Sequence, residues 1–254
     1  MRKFTKYVAA MIAALSMLSV MTGCGSVNAD QSVDAVPETT AVPEQTTLPT
    51  QPETTAPAVT TDPNSMEDAL FIGDSRTMGL LEYSGLECDF FASVGMSVYN
   101  IQKSTVSVPS VGKVTLKELL SNKKYGKIYL MIGINELGYD LGQTASEYEK
   151  LVNFIREQQP DAKLFLQANL HVTKKKSDSH DYIKNTNINT LNEKIAKFAD
   201  GKNIFYLDVN PVYDDANHAL SEDYTSDGVH LYAKHYAEWA EWIAEQTASQ
   251  LKEG

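Results

Sequence analysis

An α/β fold built on a mainly parallel, five-stranded sheet is predicted for residues 66–254, and three observations predict it. Short apolar runs alternate along the chain with segments of helical periodicity. The runs are nearly all apolar instead of alternating, as expected of strands covered on both faces. Each run also ends at a polar or glycine-bearing turn, and in parallel sheets sites form where strands end.

The first run is Leu70-Phe71-Ile72, broken by Gly73-Asp74-Ser75, after which a helix is predicted from Arg76 to Leu81. Ser75 has two local readings. It is a helix N-cap at a turn that glycine permits, or a hydroxyl presented at the sheet edge where the first helical N–H groups converge. Cys88 to Val94 reads as the second strand, ending at Gly95-Met96-Ser97. Val98 to Lys113 reads as irregular, interrupted by Pro109 and Gly112, and Thr115 to Lys123 as a short helix. The third strand, Lys127 to Ile132, stops at Gly133-Ile134-Asn135-Glu136. A helix from Thr144 to Gln159 carries Tyr148, Leu151, Phe154 and Ile155 on one face, with Ser146 and Glu149 placed as a capping box and Pro160 as its stop.

Ala162 to Leu170 is the fourth strand. A polar loop then holds His171, the run Lys174-Lys175-Lys176, read as solvated, and His180. A helix from Thr186 to Phe198 closes at Asp200-Gly201, and Asn203 to Val209 forms the fifth strand. The last helix spans Tyr232 to Leu251, with Trp239 and Trp242 read as core and rim. His171 reads as a loop or rim residue, and His180, His218 and His235 as solvated.

The first 65 residues are of another kind. Arg2, Lys3 and Lys6 precede an apolar run from Tyr7 to Met21, the pattern of an export signal. That run ends in Met21-Thr22-Gly23-Cys24, which resembles the lipobox of bacterial lipoproteins, apart from Met21 where leucine is usual. The resemblance implies a signal peptide over residues 1–23 and lipidation of Cys24. The domain would then be anchored to the outer face of the cell membrane, facing the cell wall or exterior. An ordinary cleaved signal and a membrane span are the alternatives, and the apolar run is short for a span. Residues 24–65 form a Thr/Pro/Glu-rich spacer, and from Gly25 to Asn64 it has no Lys, Arg or aromatic residue. Such a composition cannot bury enough apolar surface to offset ordering entropy, so a disordered, extended tether is expected.

The chain carries a formal net charge of −11. Three basic residues in the leader and six acidic ones in the spacer leave −8 on residues 66–254. An acidic domain argues against nucleic acid as a partner. Of the two cysteines, Cys88 is left alone in a strand, where packing is its default role. No Cys/His cluster has the spacing of a zinc site, so no metal is expected.

Acyl transfer to a serine needs a base, a carboxylate to orient the base, and N–H donors aimed at the developing oxyanion. Asp227 and His230, three apart on a turn, supply the first two; Ser75 N–H, Gly95 N–H and the Asn135 amide supply the third. Four blocks stand in order: Gly73-Asp74-Ser75, Val94-Gly95-Met96-Ser97, Gly133-Ile134-Asn135-Glu136 and Asp227-Gly228-Val229-His230-Leu231. In these the sequence resembles the SGNH (GDSL) hydrolase superfamily, from Met66 to the C-terminus. The resemblance implies a flavodoxin-like three-layer α/β/α sandwich and serine esterase chemistry without metal or cofactor. It also implies Ser75, Asp227 and His230 as catalytic residues, with Ser75, Gly95 and Asn135 as the oxyanion hole.

Arg76 and Glu136 depart from the pattern, standing where leucine and aspartate are usual. Arg76 either borders the substrate pocket or lies on the surface paired with Glu82; Tyr99 and Asn100 either line the pocket or pack. The expected substrate is an acylated small molecule or glycan, with O-acetyl groups on cell-wall or extracellular carbohydrate first. A lipase-like or lysophospholipase-like esterase, a glycan O-acyltransferase and a non-catalytic surface binding module are the alternatives.

Overall fold

The computed structural model describes residues 65–253. The predicted leader, Cys24 and the spacer up to Asn64 lie outside the described residues. Among the described residues, no helix is long and apolar enough to cross a membrane.

Five strands form one parallel sheet: β1 (Ala69–Gly73), β2 (Asp89–Ala92), β5 (Lys127–Met131), β6 (Lys163–Gln167) and β7 (Ile204–Leu207), in the order β2-β1-β5-β6-β7. The five predicted strands are therefore the five observed; the last four are shorter than predicted, while β1 extends one residue beyond Leu70-Phe71-Ile72 on each side. Because side chains alternate across a pleated strand, each run feeds two cores. Leu70, Ile72, Ile128, Leu130, Leu164 and Leu166 face α2 (Leu116–Asn122), α3 (Leu141–Gln158) and α5 (Asn185–Ala196). Phe71, Tyr129, Met131, Phe165 and Phe205 face the opposite way, toward Leu80 of α1 (Ser75–Tyr83) and Trp239 and Ile243 of α7 (Tyr236–Glu253). This is the three-layer sandwich that the sequence predicts. On the α1/α7 face the residues in register, Phe90, Phe71, Tyr129, Phe165 and Phe205, stack as a ladder with ring centroids 4.4–5.2 Å apart.

Three local predictions are corrected. The segment read as irregular contains an antiparallel hairpin, β3 (Thr105–Val108) with β4 (Gly112–Thr115), beside the main sheet. The long helix α3 begins at Leu141, capped by Asp140, whose carboxylate accepts from Gln143 N at 2.7 Å. Ser146 and Glu149 are thus interior helical residues, and the capping box instead opens α2, at Thr115 and Glu118. The lysine run is no loop: it opens a short helix, α4 (Lys174–Ser179), capped by Thr173. The remaining short helix, α6 (Asn210–Tyr213), follows β7, and a 3₁₀ turn, Ala233–His235, leads into α7.

Candidate active site

Parallel strands bring the ends of β1, β2 and β5 to one edge, which gathers the first three sequence blocks. At the end of β1 the turn is very tight. A Cβ on Gly73 would lie 1.9 Å from Thr77 Oγ1 and 2.6 Å from Met131 O, so no larger residue fits. Asp74, not Ser75, is the helix cap: its Oδ1 accepts from Arg76 N at 3.0 Å. Ser75 is thereby freed as the first residue of α1, with its hydroxyl turned toward the last block.

Ser75 Oγ lies 2.8 Å from His230 Nε2, and His230 Nδ1 lies 2.8 Å from Asp227 Oδ2. The last two residues share one local turn. Asp227 Oδ1 accepts from Val229 N at 2.8 Å, His230 N at 2.9 Å and Thr225 Oγ1 at 3.2 Å. Burial alone would raise the Asp227 pKa, but the His230 and Val229 N–H groups and the imidazole outweigh it and hold the carboxyl down at about 2. Gly228, at φ 79°, closes the turn; its carbonyl accepts from Thr173 N at 3.0 Å. A bridge between Thr225 and Leu231 ties the ends of the turn together.

Gly95 follows β2 with φ 75°, and Asn135 follows β5. Asn135 Nδ2 donates to Met96 O at 2.9 Å, joining the glycine and asparagine blocks and leaving its second N–H open. Among the described residues, neither Ser75 N–H nor Gly95 N–H has a protein acceptor. Beneath them Glu136 is fully buried, and its Oε1 accepts from Val98 N at 2.6 Å. Burial pushes its pKa up to about 7, a rise that the Val98 N–H only partly offsets.

Arg76 is corrected on both readings. It is wholly buried, neither on the pocket rim nor paired with Glu82. Its Nη2 meets Asp74 Oδ2 at 2.6 Å and Asn169 Oδ1 at 2.9 Å, and its Nε donates to Asp74 Oδ1 at 3.1 Å. Asn169, just past β6, also donates toward Ile132 O and Asn192 Oδ1. This polar cluster was missed, although Asn169 gives the same signal as Ser75 and Asn135: a polar side chain where an apolar run ends. Tyr99 is exposed, with its hydroxyl 3.0 Å from Thr144 Oγ1 and its ring 5.0 Å from that of Tyr139. Asn100 closes its own loop, donating to Gly95 O at 3.0 Å.

His171 is not a rim residue. It is buried, with Nδ1 2.8 Å from Asp214 Oδ2 and Nε2 2.6 Å from Asn189 Oδ1. Burial lowers its pKa, but Asp214 and Asn189 more than reverse this, leaving it raised. His235 is buried as well, 2.8 Å from Glu238 Oε2. The His171–Asp214 pair leaves no signal in the sequence, because its carboxylate lies 43 residues away, whereas Glu238 stands three residues after His235. Among the described residues, no group of three or more His, Cys, Asp or Glu side chains is placed to hold a metal ion.

Fold and site together define a class: a three-layer α/β hydrolase with serine, histidine and aspartate assembled at the C-terminal edge of a parallel sheet. Residues 71–238 match the model of the GDSL-like lipase/acylhydrolase family, and the chain belongs to that family. It is a carboxylic ester hydrolase. The fold is similar to that of a GDSL-like lipase from Bacteroides thetaiotaomicron, at 17% identity and a TM-score of 0.54, over 71% of this chain and 87% of that one. It is also similar to the acetyl xylan esterase AlAXEase, at 17% identity and a TM-score of 0.52, over 70% and 98%. A family two carbohydrate esterase from Clostridium thermocellum aligns at 12% identity and a TM-score of 0.52, over 72% and 64%. No curated protein matches the chain.

Proposed function

We propose that the domain removes O-acetyl groups from cell-wall or extracellular carbohydrate through an acyl-serine intermediate. The observation that carries this reading is the contact chain Ser75 Oγ–His230 Nε2 and His230 Nδ1–Asp227 Oδ2, both at 2.8 Å. In that scheme His230 takes the Ser75 proton as the oxygen attacks the ester carbonyl. Asp227, ionised at neutral pH, stabilises the imidazolium that forms. Ser75 N–H, Gly95 N–H and the free Asn135 N–H receive the oxyanion. His230 returns the proton to the leaving alcohol, and a water activated by the same imidazole releases the acid.

Two of the similar folds belong to an acetyl xylan esterase and a carbohydrate esterase, which supports a carbohydrate substrate. The polar surroundings of the Asp227 turn favour a polar alcohol over a long acyl chain. The leader and lipobox support an exported domain held by a lipid on Cys24. The test is release of p-nitrophenol from its acetate ester, with rates falling steeply as the acyl chain lengthens. Ser75→Ala should abolish activity, and equal rates in the two proteins would refute the proposal. A rate that climbs with acyl length would favour a lipase, transfer to added sugar an acyltransferase, and glycan binding without turnover a binding module. For the anchor, labelled fatty acid should enter the parent chain and not Cys24→Ala.

A further inference from the structure

A cavity of about 410 Å³ is walled in part by Thr225–Gly228 of the Asp227 turn, with neither Ser75 nor His230 in its lining, and the acyl transfer just described makes no use of it. One wall is α4, which contributes Lys175, Lys176 and Ser179; the facing wall holds Glu222, Ser226, Asp227 and Tyr232. The walls are fixed to the catalytic turn. Thr173 caps α4 through Lys176 N at 3.2 Å and donates its own N–H to Gly228 O at 3.0 Å. A Cβ on Gly228 would stand 2.7 Å from Thr173 Oγ1 and 3.1 Å from Lys176 Cβ, so α4 sits directly on that glycine.

The lining carries two lysines, Lys175 and Lys176, and two carboxylates, Glu222 and Asp227. Lys174 is paired with Asp178 at 2.5 Å. Among the described residues, Lys175 and Lys176 have neither an ion pair nor a side-chain hydrogen bond, and Lys176 is half-buried. Asp227 offers them little, since its oxygens already accept from Val229 N, His230 N, Thr225 Oγ1 and the His230 ring. Glu222 remains as the single uncommitted carboxylate against two ammonium groups. The hydroxyls of Ser226 and Tyr232 add donors around them, while that of Ser179 is already given to Lys176 O. Two ammonium groups without an ion pair, with hydroxyl donors beside them, suit an oxyanion.

We propose that this cavity is a subsite for an anionic group, a sugar carboxylate or a phosphodiester, borne on the alcohol side of the ester. The Asp227 carboxylate and the His230 ring stand between the cavity and Ser75 Oγ, so the anionic group would be borne on a sugar unit beyond the one that carries the ester. The substrate would then be an acylated acidic glycan, and the two lysines would set the preference for it over a neutral one. The position of the ester rests on the esterase reading; binding of the anion does not.

The test is calorimetric titration of the full chain carrying Ser75→Ala, solubilised in detergent. The ligands are trigalacturonate, its carboxyl-reduced neutral trisaccharide and a glycerol phosphate trimer. At least one of the two anions should bind about 10-fold more tightly than the neutral trisaccharide, from two partly exposed charge contacts. Whichever anion wins identifies the source. Adding Lys175→Gln with Lys176→Gln should erase the preference, while Glu222→Gln should strengthen it about threefold. The same lysine substitutions in the Ser75-bearing chain should leave p-nitrophenyl acetate hydrolysis unchanged. Equal binding of all three ligands, or a preference surviving the lysine changes with Glu222→Gln also inert, would overturn the subsite. A parent chain without esterase activity would count against the catalytic reading alone.

Discussion

Replacing Arg76 with leucine, the residue that the family pattern carries there, removes one member of a fully buried ion pair. Asp74 would keep its bond from the backbone N–H of residue 76 but lose both guanidinium contacts, at 2.6 and 3.1 Å. Asn169 Oδ1 would lose its donor at 2.9 Å. Leaving a charge buried and unpaired costs about 3–5 kcal/mol. For a domain of this size each kcal/mol moves the melting temperature by about 2–4 °C, so a fall of about 6–20 °C is expected. Asp74 also caps the helix that presents Ser75, and a displaced nucleophile costs about 10–100-fold in kcat with little change in KM. Arg76→Lys should recover only part of either loss, because a point charge cannot reproduce the bidentate contact and the reach to Asn169 together. Circular dichroism melts and p-nitrophenyl acetate kinetics measure both effects. A leucine variant melting within about 2 °C of the parent, with unchanged kcat, would refute the role of this cluster.

Three further outcomes are expected. Glu136, whose pKa is raised from its ordinary 4.5 to about 7, makes the fold less stable as pH climbs between those values, because the unfolded chain ionises first. The full effect is about 3 kcal/mol above pH 7, and Glu136→Gln should remove that slope in denaturant midpoints taken across the range. The His171–Asp214 pair raises the histidine pKa, so its stabilisation is complete below the ordinary histidine value and is lost as pH rises through the higher folded value. Asp214→Asn should therefore flatten the fall in stability that sets in as pH rises above the ordinary histidine value. Asp227→Asn should keep the turn, since the amide oxygen still accepts from Val229 N and His230 N, yet lower kcat by about 10⁴-fold in steady-state assays.

The sheet was legible because buried parallel strands leave runs such as Lys127–Met131 with little else to become. The hairpin was not: Thr105-Val106-Ser107-Val108 does alternate, but over four residues, and Pro109 and Gly112 read as breakers when they flank its turn. For α3, Ser146 and Glu149 carry a capping pattern by chance, while Asp140 stands farther upstream with Gln143 three residues on. The meeting of Ser75, Asp227 and His230 could be anticipated because reaction chemistry demands those groups together, whatever their separation along the chain. Nothing comparable announces Arg76. Its partners are a carboxylate two residues before it and an amide just past another strand, and only the backbone path makes them neighbours.

The shared turn of Asp227 and His230 has one more consequence. The base and its carboxylate are held together by contacts no longer than three residues in sequence, so they move as one piece. Of the alignments that a three-part catalytic device must keep, only the Ser75–His230 contact, 155 residues apart, depends on the tertiary structure. Loosening of α4 or of the β1 turn would therefore show as a change in that one distance. Activity lost on mild heating, before any strand melts, would report a single coordinate of the fold.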